Sequence, residues 1–154
     1  MLAKPPTPAI IASGTARNIG YARVPNSAPS GFVFISYSHT DRDYAADLAS
    51  YLASHGVESW MDHRLDYGAR WPDVIKQQID GCSAFVVIMT DEAEKSSWVR
   101  NEIEHARRRD KPILPLWLSG EVFFGLYDTH YADVRGGRKP DRRYADRLLA
   151  LIQT

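Results

Sequence analysis

Trp98 and Glu102, four positions apart, are the residues whose types and spacing point most directly to chemistry. On a helix that spacing sets indole and carboxylate on one face, one turn apart. An ionised carboxylate can stabilise positive charge, and an indole can stack on a flat, electron-poor ring. Val99, Ile103 and Ala106 follow at i, i+4, i+7 on the neighbouring face and should point into a core. The pair then sits at the margin between core and cleft. Spacing alone leaves a plainer reading open, in which Glu102 is a surface residue beside a half-buried tryptophan.

Other catalytic devices are missing from the sequence. It contains no Gly-x-x-x-x-Gly-Lys-Ser/Thr loop to cradle phosphates and no Gly-x-Gly-x-x-Gly after its first apolar run. No Gly-x-Ser-x-Gly turn presents a nucleophilic serine. The five histidines lack metal-ligand spacing, so no metal site is expected, and His39, His55 and His63 read as loop or cap residues.

The elements that must position the pair follow from hydrophobic periodicity. Phe32 to Ser36 is a short apolar, β-branched and aromatic run, as expected of a strand buried on both faces. Thr40 or Asp41 can cap a helix whose stripe is Ala45, Leu48, Ala49 and Leu52, ended by Gly56. Val57 to Met61 reads as a second strand, and Asp62 to Arg70 as a polar loop. Pro72 suits the first turn of a helix with Val74, Ile75 and Ile79 on its buried side. Ala84 to Met89 is the clearest strand, and Ser96 or Ser97 can cap the helix bearing Trp98 and Glu102. Ile113 to Leu118 and Tyr131 to Val134 read as fourth and fifth strands. A last helix carries Ala145, Leu148, Leu149 and Ile152.

Strands alternating with helices predict a flavodoxin-like three-layer α/β fold, a five-stranded parallel sheet in the order 2-1-3-4-5 with helices on both faces. Ligands of such sheets bind beyond the carboxyl ends of the strands near the switch point. Ser36 to Asp41, Asp62 to Trp71 and Thr90 to Trp98 should therefore gather there.

Composition sets the frame. The 154 residues suit one domain, and 44% hydrophobic with 25% charged residues is ordinary for a globular chain. Residues 1–30 hold five of the nine prolines without a sustained period and read as a flexible leader, leaving 31–154 as the domain. Nineteen basic residues balance nineteen acidic ones, which argues against a nucleic-acid or membrane partner. Arg107, Arg108 and Arg109 read as a solvated helix face. The lone Cys82 excludes an internal disulfide and reads as an inert core thiol in a cytoplasmic protein. Lys4 is followed by Pro5, Pro6 and Pro8, which interrupt any apolar signal region, and Ala84 to Met89 is too short to span a bilayer.

Four segments, in order and suitably spaced, resemble one family. Phe34-Ile35-Ser36-Tyr37-Ser38-His39-Thr40-Asp41 resembles the first signature box of the Toll/interleukin-1 receptor (TIR) domains. Leu65 to Trp71 is similar to that family's long loop after strand two, and Lys111-Pro112-Ile113-Leu114-Pro115-Leu116 to a later strand. Ser97-Trp98-Val99-Arg100-Asn101-Glu102-Ile103 resembles the helix bearing the catalytic glutamate of the bacterial, NAD-cleaving members.

The resemblance implies an NAD+ nucleosidase with Glu102 as its catalytic residue. It places Ser36, Tyr37, Ser38, His39, Trp71 and Trp98 around the substrate, with packing at a strand end as the other reading of Tyr37 and covering of the second helix as that of Trp71. NAD+ is then consumed as a substrate, so no resident cofactor is expected. The resemblance further implies self-association with other TIR domains, filaments included, a fused or separate sensor, and an effector role in bacterial anti-phage defence. The alternative it carries is a non-catalytic adaptor working through TIR–TIR contacts. A nucleoside deoxyribosyltransferase-like enzyme, sharing the architecture and the use of a carboxylate at an anomeric carbon, is a third reading.

Overall fold

The structure, a computed structural model, describes residues 31–61 and 71–154, with the side chains of Trp71 and Pro72 excepted. The expected leader and the whole expected loop from Asp62 to Arg70, His63 included, lie outside the described residues.

Five short strands form one sheet in the order β2-β1-β3-β4-β5, with every pairing parallel. They are β1 (Val33–Ser36), β2 (Ser59–Met61), β3 (Ala84–Met89), β4 (Leu116–Trp117) and β5 (Ala132–Asp133). Among the described residues five α-helices accompany them: α1 (Arg42–Ser54), α2 (Trp71–Gly81), α3 (Asp91–Lys95), α4 (Ser97–Arg108) and α5 (Arg142–Ile152). The expected fold class and strand order are those observed.

Alternation along the strands builds two cores. Val33, Ile35, Val86 and Ile88 share one cluster with Leu48 and Leu52 of α1 and Leu148 and Ile152 of α5. Phe34, Phe85, Val87 and Met89 share the other with Ile75 and Ile79 of α2 and Val99, Ile103 and Ala106 of α4. Every residue of β3 is fully buried, as a strand covered on both faces requires. Burying an aliphatic side chain of this kind contributes about 1.5–3 kcal/mol, so these two layers supply the main drive to fold.

Local chemistry sets the boundaries. Gly56 adopts φ +83° and ends α1, with Val57 N–H donating to Leu52 O (2.9 Å) and Gly56 N–H to Ala53 O (3.0 Å). This paired closure satisfies carbonyls left open at the helix end. Ser96 Oγ accepts from Val99 N–H at 3.2 Å and caps α4.

Four expectations need correction. The fourth strand is shorter than Ile113 to Leu118: Ile113 makes a single bridge to Phe85, and the ladder resumes only at Leu116. Pro115 between them has no N–H to donate. Val74 is 40% exposed rather than buried, because the stripe of α2 runs through Ile75 and Ile79 and its neighbour lies about 100° around the helix. The second strand begins at Ser59, although Val57 is still buried. Helix α3 was not anticipated; Thr90 Oγ1 caps it by accepting from Ala93 N–H at 3.0 Å.

Candidate functional site

β1 and β3 run side by side at the centre of the sheet, with Ser36 opposite Val87 at the carboxyl end of the pairing. Beyond that end the chain turns at once. Ser38 caps a 3-10 turn over His39–Asp41, accepting from Thr40 N–H at 3.3 Å, and its Oγ lies 3.0 Å from Thr40 Oγ1. On the neighbouring strand, Thr90 follows Met89 directly and opens α3.

Four polar side chains are buried among the described residues: Ser36, Ser38, Thr90 and Glu102. The first three stand at the carboxyl ends of β1 and β3, and the fourth reaches Ser36 from α4. Ser36 Oγ donates to Glu102 Oε1 at 2.5 Å. Thr90 Oγ1 donates to Asp41 Oδ2 at 2.7 Å, tying the two strand-end loops together. Buried polar groups cost free energy unless hydrogen-bonded, and a buried carboxylate costs most. Their concentration at one edge of an otherwise apolar interior marks the site.

Glu102 is 2% exposed, so the surface-glutamate reading does not hold. It stands on the same helix as Val99, Ile103 and Ala106, whose burial fixes α4 against the sheet. Trp98, one turn earlier, is 37% exposed and presents an indole at the protein surface. Helix α4 therefore passes from solvent to core within one turn.

The other expected site residues divide. Ser36 is fully buried with its hydroxyl committed to Glu102, and Ser38 is buried at the turn it caps. His39 is exposed in that turn. Tyr37 is 3% exposed and packs in the cluster of Val33, Ile35, Leu48 and Leu52, on the sheet face opposite Phe34. The Trp71 side chain lies outside the described residues, and Trp71 enters only as the first residue of α2.

Asp41 and Thr90 were not expected in these roles. Asp41 stands at the N-cap of α1 but makes no capping hydrogen bond with its side chain, because its carboxylate accepts from Thr90 instead. The available signal was a polar residue directly after a fully apolar strand at the switch point. Among the described residues no group of three or more His, Cys, Asp or Glu is arranged to hold a metal ion. No helix among them is long and apolar enough to cross a membrane.

A doubly covered parallel sheet with a carboxylate buried at its central strand ends defines a class of α/β domains built around that edge. Residues 33–149 match the family described as TIR domain, and the chain belongs to that family. Solved structures agree on the fold. The TIR domain of the Toll-related receptor TRR-2 from Hydra magnipapillata superposes with a TM-score of 0.58 at 22% identity, over 66% of this chain and 82% of that one. A metazoan TIR-STING receptor from C. gigas, solved with 2',3'-cGAMP, gives 0.59 at 18% identity, over 89% of this chain and 43% of that one. The CMP N-glycosidase BcmB of Clostridium botulinum gives 0.56 at 19% identity, over 77% and 98%. No curated protein sequence matches the chain.

Proposed function

We propose that this TIR domain is an NAD+ nucleosidase in which Glu102 stabilises the charge that forms on the ribose. The burial of Glu102 at the strand ends, hydrogen-bonded to Ser36, is the observation that carries the reading. Perturbing environments of this kind cluster at functional sites.

The chemistry asks little else of the protein. Nicotinamide leaves a cationic pyridinium as a neutral molecule, so its departure needs no general acid. Positive charge gathers on the sugar, as in glycosidase transition states. A carboxylate about 4 Å away, at an effective dielectric of about 20, contributes ~4 kcal/mol. That is roughly a thousandfold in rate. Water then adds to the ribose to give ADP-ribose, or a nucleophile within ADP-ribose closes a cyclic isomer. The exposed indole of Trp98 supplies a stacking face for the pyridinium, contributing about 0.5–2 kcal/mol.

In this reading NAD+ is a substrate and no resident cofactor takes part. The protein acts in the cytoplasm as an effector of bacterial anti-phage defence, assembles with other TIR domains, and answers to a fused or separate sensor. These assignments rest on the sequence resemblance.

A second reading, a non-catalytic adaptor, is favoured by one feature. Phe124 and Tyr127 are 82% and 58% exposed and pair edge to face at 6.0 Å, a surface suited to protein contact. Incubating concentrated protein with NAD+ and following free nicotinamide separates the two. Release supports the enzyme, and none at high protein concentration supports the adaptor. Parallel incubations with CMP and with deoxynucleosides test whether the same carboxylate serves another N-glycosidic bond.

A further inference from the structure

Ser36 is expected from the sequence to touch substrate, and its surroundings give it a different task. Its side chain has no exposed surface, and its single hydroxyl proton is used on Glu102 Oε1 at 2.5 Å. We infer that Ser36 is a positioning residue: its hydroxyl fixes the rotamer of the Glu102 carboxylate, and it acts on the reaction only through that group. This inference rests on the functional reading above and extends it to a named supporting residue.

The geometry explains why a serine at the end of β1 can do this. β1 is paired on both sides, to β2 and to β3, so its backbone is held by two ladders. Side chains alternate along it: Val33 and Ile35 enter one core and Phe34 the other, the one that α4 covers. Ser36 follows Phe34 by two and shares its face. Position 36 is thus the last on this strand from which a side chain can meet α4. Phe34 is locked one step back, with its ring 5.3 Å from both Trp60 and Phe85.

Glu102 approaches from the helix side with three side-chain torsions to fix. Freezing a long, flexible side chain costs up to about 2 kcal/mol in lost rotamer freedom. A hydrogen bond from a rigid donor offsets that cost and selects one rotamer. The contact length, 2.5 Å, is that of a short O–H···O hydrogen bond. Reaction rates depend steeply on such placement, since a displacement of about 1 Å can cost on the order of a hundredfold. Holding a reactive group by a buried neighbour on a rigid element is the arrangement that precision demands.

An additive apolar role is the competing account, in which Ser36 is merely a small residue that fits. The two differ in what Ser36→Ala does. Alanine fits the same space and removes only the hydroxyl. On the positioning account kcat for nicotinamide release falls about ten- to a hundredfold, with KM within about twofold, because the ground-state contacts to NAD+ are untouched. The carboxylate should also report the loss directly. In carbon-13-glutamate-labelled protein, the Ser36→Ala minus wild-type infrared difference spectrum should show a shifted carboxylate band. The shift should vanish when both proteins also carry Glu102→Gln.

The full chain is used throughout. If Ser36→Ala fails to fold, Ser36→Cys replaces it, keeping the volume close while offering only a weak donor. A band shift with a fall in kcat at constant KM supports the inference. An unchanged carboxylate band, or a Ser36→Ala chain as fast as wild type, overturns it. So does a rise in KM alone, which would return Ser36 to the substrate contacts. Wild-type protein that releases no nicotinamide defeats the functional reading instead, and the infrared shift still decides whether Ser36 holds Glu102.

Discussion

Thr90 lies 49 residues beyond Asp41 in the chain, yet its hydroxyl donates to the Asp41 carboxylate at 2.7 Å while accepting from Ala93 N–H at 3.0 Å. One side chain thereby closes the loop after β1 against the loop after β3 and starts α3. Removing it should cost more than an ordinary surface change. Thr90→Val loses a helix cap, about 1 kcal/mol, and leaves Asp41 without this donor. We expect a loss of about 2–3 kcal/mol in urea unfolding, with Thr90→Ser close to wild type. Equal stability of Thr90→Val and Thr90→Ser would show that the hydroxyl contributes nothing.

Phe34 is fully buried and its ring stacks nearly parallel to that of Phe85, at 6° and 5.3 Å. Phe34→Ala should destabilise the domain by about 3–5 kcal/mol, from lost transfer free energy plus the cavity left between Trp60 and Phe85. Chemical denaturation measures this. A loss under about 1 kcal/mol would mean that the layer beneath α2 and α4 is loosely packed.

Cys82 offers a test of the same layer. Burial pushes its thiol up to about 11, with the neighbouring Lys111 charge opposing the shift. The reactive thiolate is correspondingly scarce near neutral pH. At pH 8 the folded protein should react with a thiol reagent at least about a hundredfold more slowly than the urea-unfolded chain. Comparable rates in the two states would show that Cys82 is accessible.

Trp98 is 37% exposed, so its removal tests binding at a moderate cost to the fold. Trp98→Ala should lower stability by about 1–2 kcal/mol, from the covered part of the indole, and leave the protein folded. It should also lower kcat/KM for NAD+ by roughly two- to thirtyfold, the range of a lost cation–π contact. An unchanged kcat/KM would remove Trp98 from the site.

Much of this arrangement was legible in the sequence because it rests on burial. A run such as Ala84 to Met89 has one reading in an α/β chain, and the helix stripes fix which faces meet the sheet. Strand order followed from the alternation of elements. What escaped notice depended on single polar contacts. Thr90 looked like a loop residue because a cap is recognised only once the helix after it is known, and α3 has just five residues. Asp41 looked like a cap for α1, whereas its carboxylate turned to Thr90, just past the end of another strand.

At the site, the Trp98–Glu102 spacing correctly put the two residues on one helix, but it did not show how deeply the carboxylate lies. That depth comes from the side chain reaching across to β1, a tertiary contact with a sequence separation of 66. Tyr37 and Ser36 illustrate the same limit. Adjacent in sequence, they enter different surroundings, Tyr37 the core beside α1 and Ser36 the hydrogen bond to Glu102, a difference that a linear motif does not show.

The most direct test compares wild-type protein with Glu102→Gln for release of nicotinamide from NAD+, at matched concentration and with folding checked by circular dichroism. Glutamine keeps the shape and an oxygen able to accept from Ser36, while the charge is lost. The account predicts a native spectrum and a rate at least about a thousandfold lower. A Glu102→Gln protein that releases nicotinamide within tenfold of wild type would contradict it.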